Sequence, residues 1–147
     1  MVALERAGIP IEKYYASEVD KYAIQVTQKN YPSTIQLGDV SKITYKDGTL
    51  YTENGEYSIG KVDLLIGGSP CQSFTFAGKR EGMVTEENIE ITTLEQYLEL
   101  KENGFSFKGQ SYLFWEYARL LKEVSPTHFL LENVKMSKHW QDVITKT

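Results

Sequence analysis

The chain has 147 residues, of which 41% are hydrophobic and 24% charged, with a net charge of −4. This length suits one domain with a sizeable core, and the composition excludes a disordered chain. The acidic balance argues against a broadly basic nucleic-acid-binding surface, so any positive surface must be local or lie on a part outside this sequence.

In chain order, Val2, Ala3, Leu4 and Ala7 fall on one helical face that Gly8 and Pro10 close, which predicts a short first helix. The segment 13–17 (KYYAS) has strand propensity and leads into Glu18. Asp20 is placed to cap a helix through about Asn30, with Tyr22, Ala23 and Val26 inward and Pro32 beyond its end. TIQLGD (34–39) reads as a second strand ending at Gly38 and Asp39. Within 49–59, Asn54 and Gly55 stand between two alternating runs, the signature of a hairpin.

KVDLLIGG (61–68) then carries the continuous apolar core of a strand buried on both faces, its core ending by Ile66 and 67–70 forming a loop. From Thr93 an amphipathic helix presents Leu94, Tyr97 and Leu98 on one face and closes at Gly104. Another helix runs from Leu113 to Val124 and stops before Pro126. THFLLEN (127–133) is a second fully buried strand, and Ser137 is placed to cap a last helix. Strands alternating with helices predict an α/β fold with a mostly parallel sheet, whose ligands gather at the carboxyl ends of the strands. Four such ends carry polar residues: Glu18, Asp39, the loop 67–71, and Glu132 with Asn133.

The single cysteine, Cys71, excludes an internal disulfide and a Cys-rich metal site and fits the reducing cytoplasm. No apolar run is long enough to span a bilayer, and the opening MVALERAGIP lacks the layout of a signal peptide. A free thiol packs as a small hydrophobe, yet Cys71 follows Pro70 just past an apolar run, which points it toward a cleft. As a nucleophile it needs a neighbour that stabilises the thiolate; Lys79 and Arg80 are close in sequence. A cysteine hydrolase would want a histidine, and His128 and His139 read as incidental surface residues. A carboxylate is the better acid–base partner, and Glu132, directly after HFLL, is the obvious one.

GGSPCQSFT (67–75), followed some sixty residues later by FLLENV, resembles the DNA (cytosine-5) methyltransferases of bacteria and phages. Their nucleophile sits in a Pro-Cys-Gln loop and their catalytic glutamate in Glu-Asn-Val, and SYLFWEYARLLKEVSP between the two strengthens the match. The resemblance implies a Rossmann-like, S-adenosylmethionine-dependent fold. Cys71 would attack C6 of a flipped-out cytosine, Glu132 would act at N3, and Asn133 would orient the loop. YYASEVDKYAI implies that Glu18 holds the cofactor ribose and Val19 lies against the adenine. LGDV implies that Asp39 accepts from the adenine amino group while Val40 packs on the ring, with Pro70 and Leu113 completing the wall. Gln72, Ser73, Thr75, Lys79 and Arg80 would face double-stranded DNA.

The family pattern is longer than this chain. It begins with a strand and turn, Asp-x-Phe-x-Gly-x-Gly-Gly, and ends with a Gln-x-Arg-x-Arg strand, a target recognition region and a closing helix. Residues 1–147 resemble its middle, a partial catalytic domain cut short at both ends, and the expectation is little activity without the remainder or a complementary chain. One departure is a long insertion before Leu113, where seven Glu stand against a single Lys between Glu81 and Glu102. It reads as a solvated face that Leu94, Tyr97 and Leu98 dock onto the domain or a partner. The rival to the enzyme is a methyltransferase-like module that binds DNA or a subunit and does no chemistry.

Overall fold

The structure, a computed structural model, describes residues 1–70 and 83–147. They divide into two compact units, Met1–Ile59 and Gly60–Thr147.

In the first unit, α1 (Val2–Arg6) ends as its glycine requires. Gly8 takes φ 68°, and the Gly8 and Ile9 amides donate to the Glu5 and Leu4 carbonyls at 3.0 and 2.9 Å, a Schellman closure. β1 (Tyr15–Ala16) and β2 (Ile35–Gln36) pair in parallel, and α2 (Lys21–Asn30) joins them. Asp20 caps α2 by accepting from the Tyr22 and Ala23 amides at 2.9 and 2.8 Å.

The face that α2 turns inward differs from the expected one. Tyr22 and Val26 are 64% and 63% exposed, while Ala23, Ile24, Thr27 and Gln28 are partly covered. Gln36 Nε2 donates to Gln28 Oε1 at 3.1 Å, so a polar contact to β2 orients the helix. One residue is about 100° of helical rotation, enough to carry the expected apolar pair outward.

The predicted hairpin is β4 (Thr49–Thr52) with β5 (Gly55–Ser58). Thr52 faces Gly55, so the turn residues are Glu53 and Asn54, one step earlier than Asn54 and Gly55. β3 (Thr44–Lys46), absent from the sequence reading, pairs antiparallel with β4 around Asp47 and Gly48. Their φ values of 49° and 79° are both positive, the demand of a type I′ turn that Asp-Gly satisfies. Asn54 Nδ2 donates to the Gln36 carbonyl at 3.2 Å and joins the hairpin to the parallel pair, and Leu37, Ile43 and Leu50 are buried in this unit.

In the second unit, β6 (Leu64–Gly68) and β7 (His128–Glu132) run parallel, with Gly67 facing Leu131 and Gly68 facing Glu132. The strand thus extends two residues past Ile66, into what the sequence suggested was loop. α4 (Leu113–Val124) packs its Tyr117 ring over Gly67, where an added Cβ would come within 2.2 Å of a ring carbon. The helix exits through Ser125 at φ 45°, just before Pro126. Both strands were expected to be buried on both faces, yet Leu64, Ile66, Phe129 and Leu130 are exposed. Leu64, Ile66 and Leu130 share the face away from the Tyr117–Gly67 contact, while Phe129, on the same face as Gly67, is also left exposed.

α3 (Leu94–Glu102) begins where Thr93 accepts from the Gln96 amide at 3.2 Å. Leu94 and Tyr97 are buried as expected, but Leu98 faces solvent. The acidic insertion is more than a solvated face, because Met83, Ile91, Leu94 and Tyr97 form one core with Phe114, Trp115, Ala118, Met136 and Trp140. The last helix, α5 (Lys138–Lys146), follows Ser137, which occupies the cap position without a side-chain capping bond. The fold is therefore mixed α/β, with two parallel strand pairs, one three-stranded antiparallel sheet, and helices among the described residues. No helix among the described residues is long and apolar enough to cross a membrane.

Candidate active site

In the first unit the carboxyl ends of β1 and β2 lie side by side, and each leads into an acidic residue. Ser17 Oγ donates to the Gly38 carbonyl at 2.7 Å and clips the two ends together. Glu18 Oε1 accepts from the Val19 and Asp20 amides at 2.8 and 2.9 Å, which orients its carboxylate at the start of α2. Asp39 Oδ1 accepts from the Ser41 amide and hydroxyl at 2.9 and 2.8 Å and caps the 3-10 turn Val40–Lys42. Val19 is 72% exposed beside Glu18. Two backbone-oriented carboxylates and an uncovered apolar side chain suit a ligand with hydroxyl and amino donors and a flat apolar face.

In the second unit the parallel register brings Glu132 level with Gly68, two residues before Pro70. A Cβ on Gly68 would stand 3.3 Å from Glu132 Oε2, so this glycine leaves room for the carboxylate to lie over the strand end. Glu132 is exposed at the end of β7. Asn133 Oδ1 accepts from the Val134 amide at 2.8 Å, and its Nδ2 donates to Ser69 Oγ at 3.4 Å. Ser111 Oγ donates to the Pro70 carbonyl at 3.2 Å, and Leu113 opens α4 two residues later. Cys71, Gln72, Ser73, Thr75, Lys79 and Arg80 lie outside the described residues. His128 is exposed at the start of β7, and His139 Nε2 lies 2.8 Å from Glu90 Oε1.

The sequence reading missed a buried ionic cluster between α3 and α4. Glu116, fully buried on α4, accepts from the Tyr97 hydroxyl and from Lys101 Nζ through Oε1. Its Oε2 accepts from Arg119 Nε at 2.9 Å, and Arg119 reaches on to Glu123 at 2.6 Å. Burial, reinforced by the Glu116 carboxylate, pushes the Tyr97 phenol well above its ordinary range. A signal was present: in LFWEYARLL a Glu and an Arg sit three apart inside an otherwise apolar run, and charges on a buried helix must be paired.

β6 thus leads toward Pro70 beside the end of β7, where Glu132 and Asn133 stand. The family model for the C-5 cytosine-specific DNA methylases matches residues 1–145, and the chain belongs to that family. Among curated relatives it is 36% identical over 135 residues to the orphan methyltransferase M.Rho11sI of Bacillus phage rho11s, covering 90% of this chain and 20% of that protein. It is 35% identical over 135 residues to the orphan methyltransferase M.SPRI of Bacillus phage SPR, covering 90% and 23%. It is 32% identical over 133 residues to the type II methyltransferase M.NgoBV of Neisseria gonorrhoeae, again covering 90% and 23%. The chain thus spans about a quarter of the length of these relatives or less.

Proposed function

We propose that the chain carries the nucleophile and cofactor strands of a DNA cytosine-5 methyltransferase. The observation that carries the reading is the β6–β7 register, which sets Glu132 beside the strand end leading into Pro70 and Cys71, within a chain of this family. Each parallel strand pair is read as a piece of a Rossmann-like methyltransferase fold.

Cytosine C5 is a poor nucleophile until a thiolate adds at C6. Cys71 makes that bond, and Glu132 donates a hydrogen bond and proton at N3, neutralising charge that develops on the ring. S-adenosylmethionine, when bound, would supply the electrophilic methyl group to C5, and loss of the C5 proton then expels the Cys71 thiolate and restores the ring. Glu18 receives the ribose hydroxyls, Val19 and Val40 lie against the adenine, Asp39 accepts from its amino group, and Pro70 and Leu113 are further contacts to the cofactor. The target base is flipped out of double-stranded DNA, because neither face of its ring is reachable in the stack. Gln72, Ser73 and Thr75 face that DNA, with Lys79 and Arg80 on its phosphates. Asn133 holds Ser69 and so the loop, which its bond to Ser69 Oγ supports.

The direct test is transfer of a labelled methyl group from S-adenosylmethionine to duplex DNA by the protein in its natural extent. Cys71→Ser is expected to abolish transfer, and Glu132→Gln to slow it by about 100-fold or more. Full activity in Cys71→Ser would overturn the reading.

A further inference from the structure

We infer that Ser111 is a positioning residue for the peptide from which Cys71 extends. The inference rests on the reading of Cys71 as the nucleophile.

Ser111 is 1% exposed and lies forty-one residues from Pro70 in sequence, yet its hydroxyl donates to the Pro70 carbonyl at 3.2 Å. A buried hydroxyl needs a partner, and this one takes the carbonyl of the peptide unit joining Pro70 to Cys71. That unit is planar, so restraining its oxygen restrains the plane on which the next residue begins. The pyrrolidine ring already fixes φ at Pro70, and the Ser111 bond restrains the remaining soft rotation, ψ. One residue earlier, Asn133 Nδ2 holds Ser69 Oγ at 3.4 Å. Two side chains from distant parts of the chain therefore hold consecutive residues, Ser69 and Pro70.

Ser111 is itself on a firm platform. Its carbonyl accepts from the Phe114 amide at 3.2 Å in the turn that opens α4. α4 is seated on β6 through Tyr117 against Gly67, and tied to α3 through Glu116 with Tyr97 and Lys101. The acidic insertion thus contributes by clamping the helix that Ser111 leads into. A misplacement of about 1 Å at a reacting group costs as much as 100-fold in rate, so a single restraint of this kind has a measurable effect.

The test compares Ser111→Ala with Tyr117→Phe. Both remove one side-chain bond to a backbone carbonyl, since the Tyr117 hydroxyl donates to the Leu130 carbonyl at 3.3 Å, but only the first touches Pro70. The readouts are thermal melts, the iodoacetamide alkylation rate of Cys71 measured by mass spectrometry on its own peptide, and kcat and KM for methyl transfer. Ser111→Ala is expected to change the alkylation rate at least about threefold and to lower kcat about tenfold with KM held, while Tyr117→Phe leaves all three unchanged. Equal shifts in the two variants, or none in Ser111→Ala, would overturn the inference. Methylation that survives Cys71→Ser would defeat the functional reading instead, and the alkylation comparison would still decide whether Ser111 holds the turn.

Discussion

Glu116 is a fully buried carboxylate that accepts from three different side chains, and its loss would strand Arg119 and Lys101 without their shared partner. Glu116→Ala is therefore expected to cost about 3–5 kcal/mol in urea denaturation, far more than an exposed ion pair such as Lys122 with Glu95. Tyr97 allows a test by pH. Its folded-state pKa lies above the unfolded value, so the folded state keeps the proton that the unfolded chain gives up. The contribution is whole below about pH 10 and is lost as pH rises beyond it. Tyr97→Phe should make the fall of stability between about pH 9.5 and 11 shallower than in the parent protein; parallel curves would contradict the assignment. That Glu18, Asp39, Glu132 and Asn133 stand at or just past strand ends was legible because each follows an apolar or β-prone run. Ser111 was not, since its partner is forty-one residues away and no local pattern connects them.

Among the elements, the strongest local signals were read best. α4 has the bounds that Leu113 and Pro126 predict, and α2 starts where Asp20 caps it. The hairpin was found but set one residue late, because Gly55, at φ 135°, begins β5 instead of completing the turn. β3 was missed although Asp47 and Gly48 are as clear a hairpin signal as Asn54 and Gly55; only three residues precede that turn in the strand. Gly48→Ala, which forces a side chain to φ 79°, should cost about 1–2 kcal/mol and weaken the β3–β4 pairing in hydrogen exchange. Strand burial was misjudged because a continuous apolar run states that two faces are apolar and not what covers them. At the covered face, Gly67→Ala drives a methyl group into the Tyr117 ring and should destabilise the second unit by about 1–3 kcal/mol, read by denaturant unfolding.

For the whole molecule, the acidic charge and the DNA-methylase family membership fit together if the phosphate contacts are local or lie on a part outside this sequence. Lys79 and Arg80, in the segment that follows Cys71, are the proposed contacts here, so a charge-removing change at both should weaken DNA binding and flatten its dependence on salt. The family was legible from two tripeptides and their order. What they could not reveal was how the acidic insertion joins the core, because Tyr97 meets Glu116 through tertiary packing across nineteen residues. The central claim is that Cys71 drives methylation of cytosine in DNA. The most direct test expresses the reading frame in its natural extent, with and without Cys71→Ser, in a host lacking cytosine methylation, and maps the plasmid by bisulfite sequencing. Methylation of C5 at one recurring sequence, lost in Cys71→Ser, is the predicted result; a blank map from folded protein, or the same map in both, would contradict it.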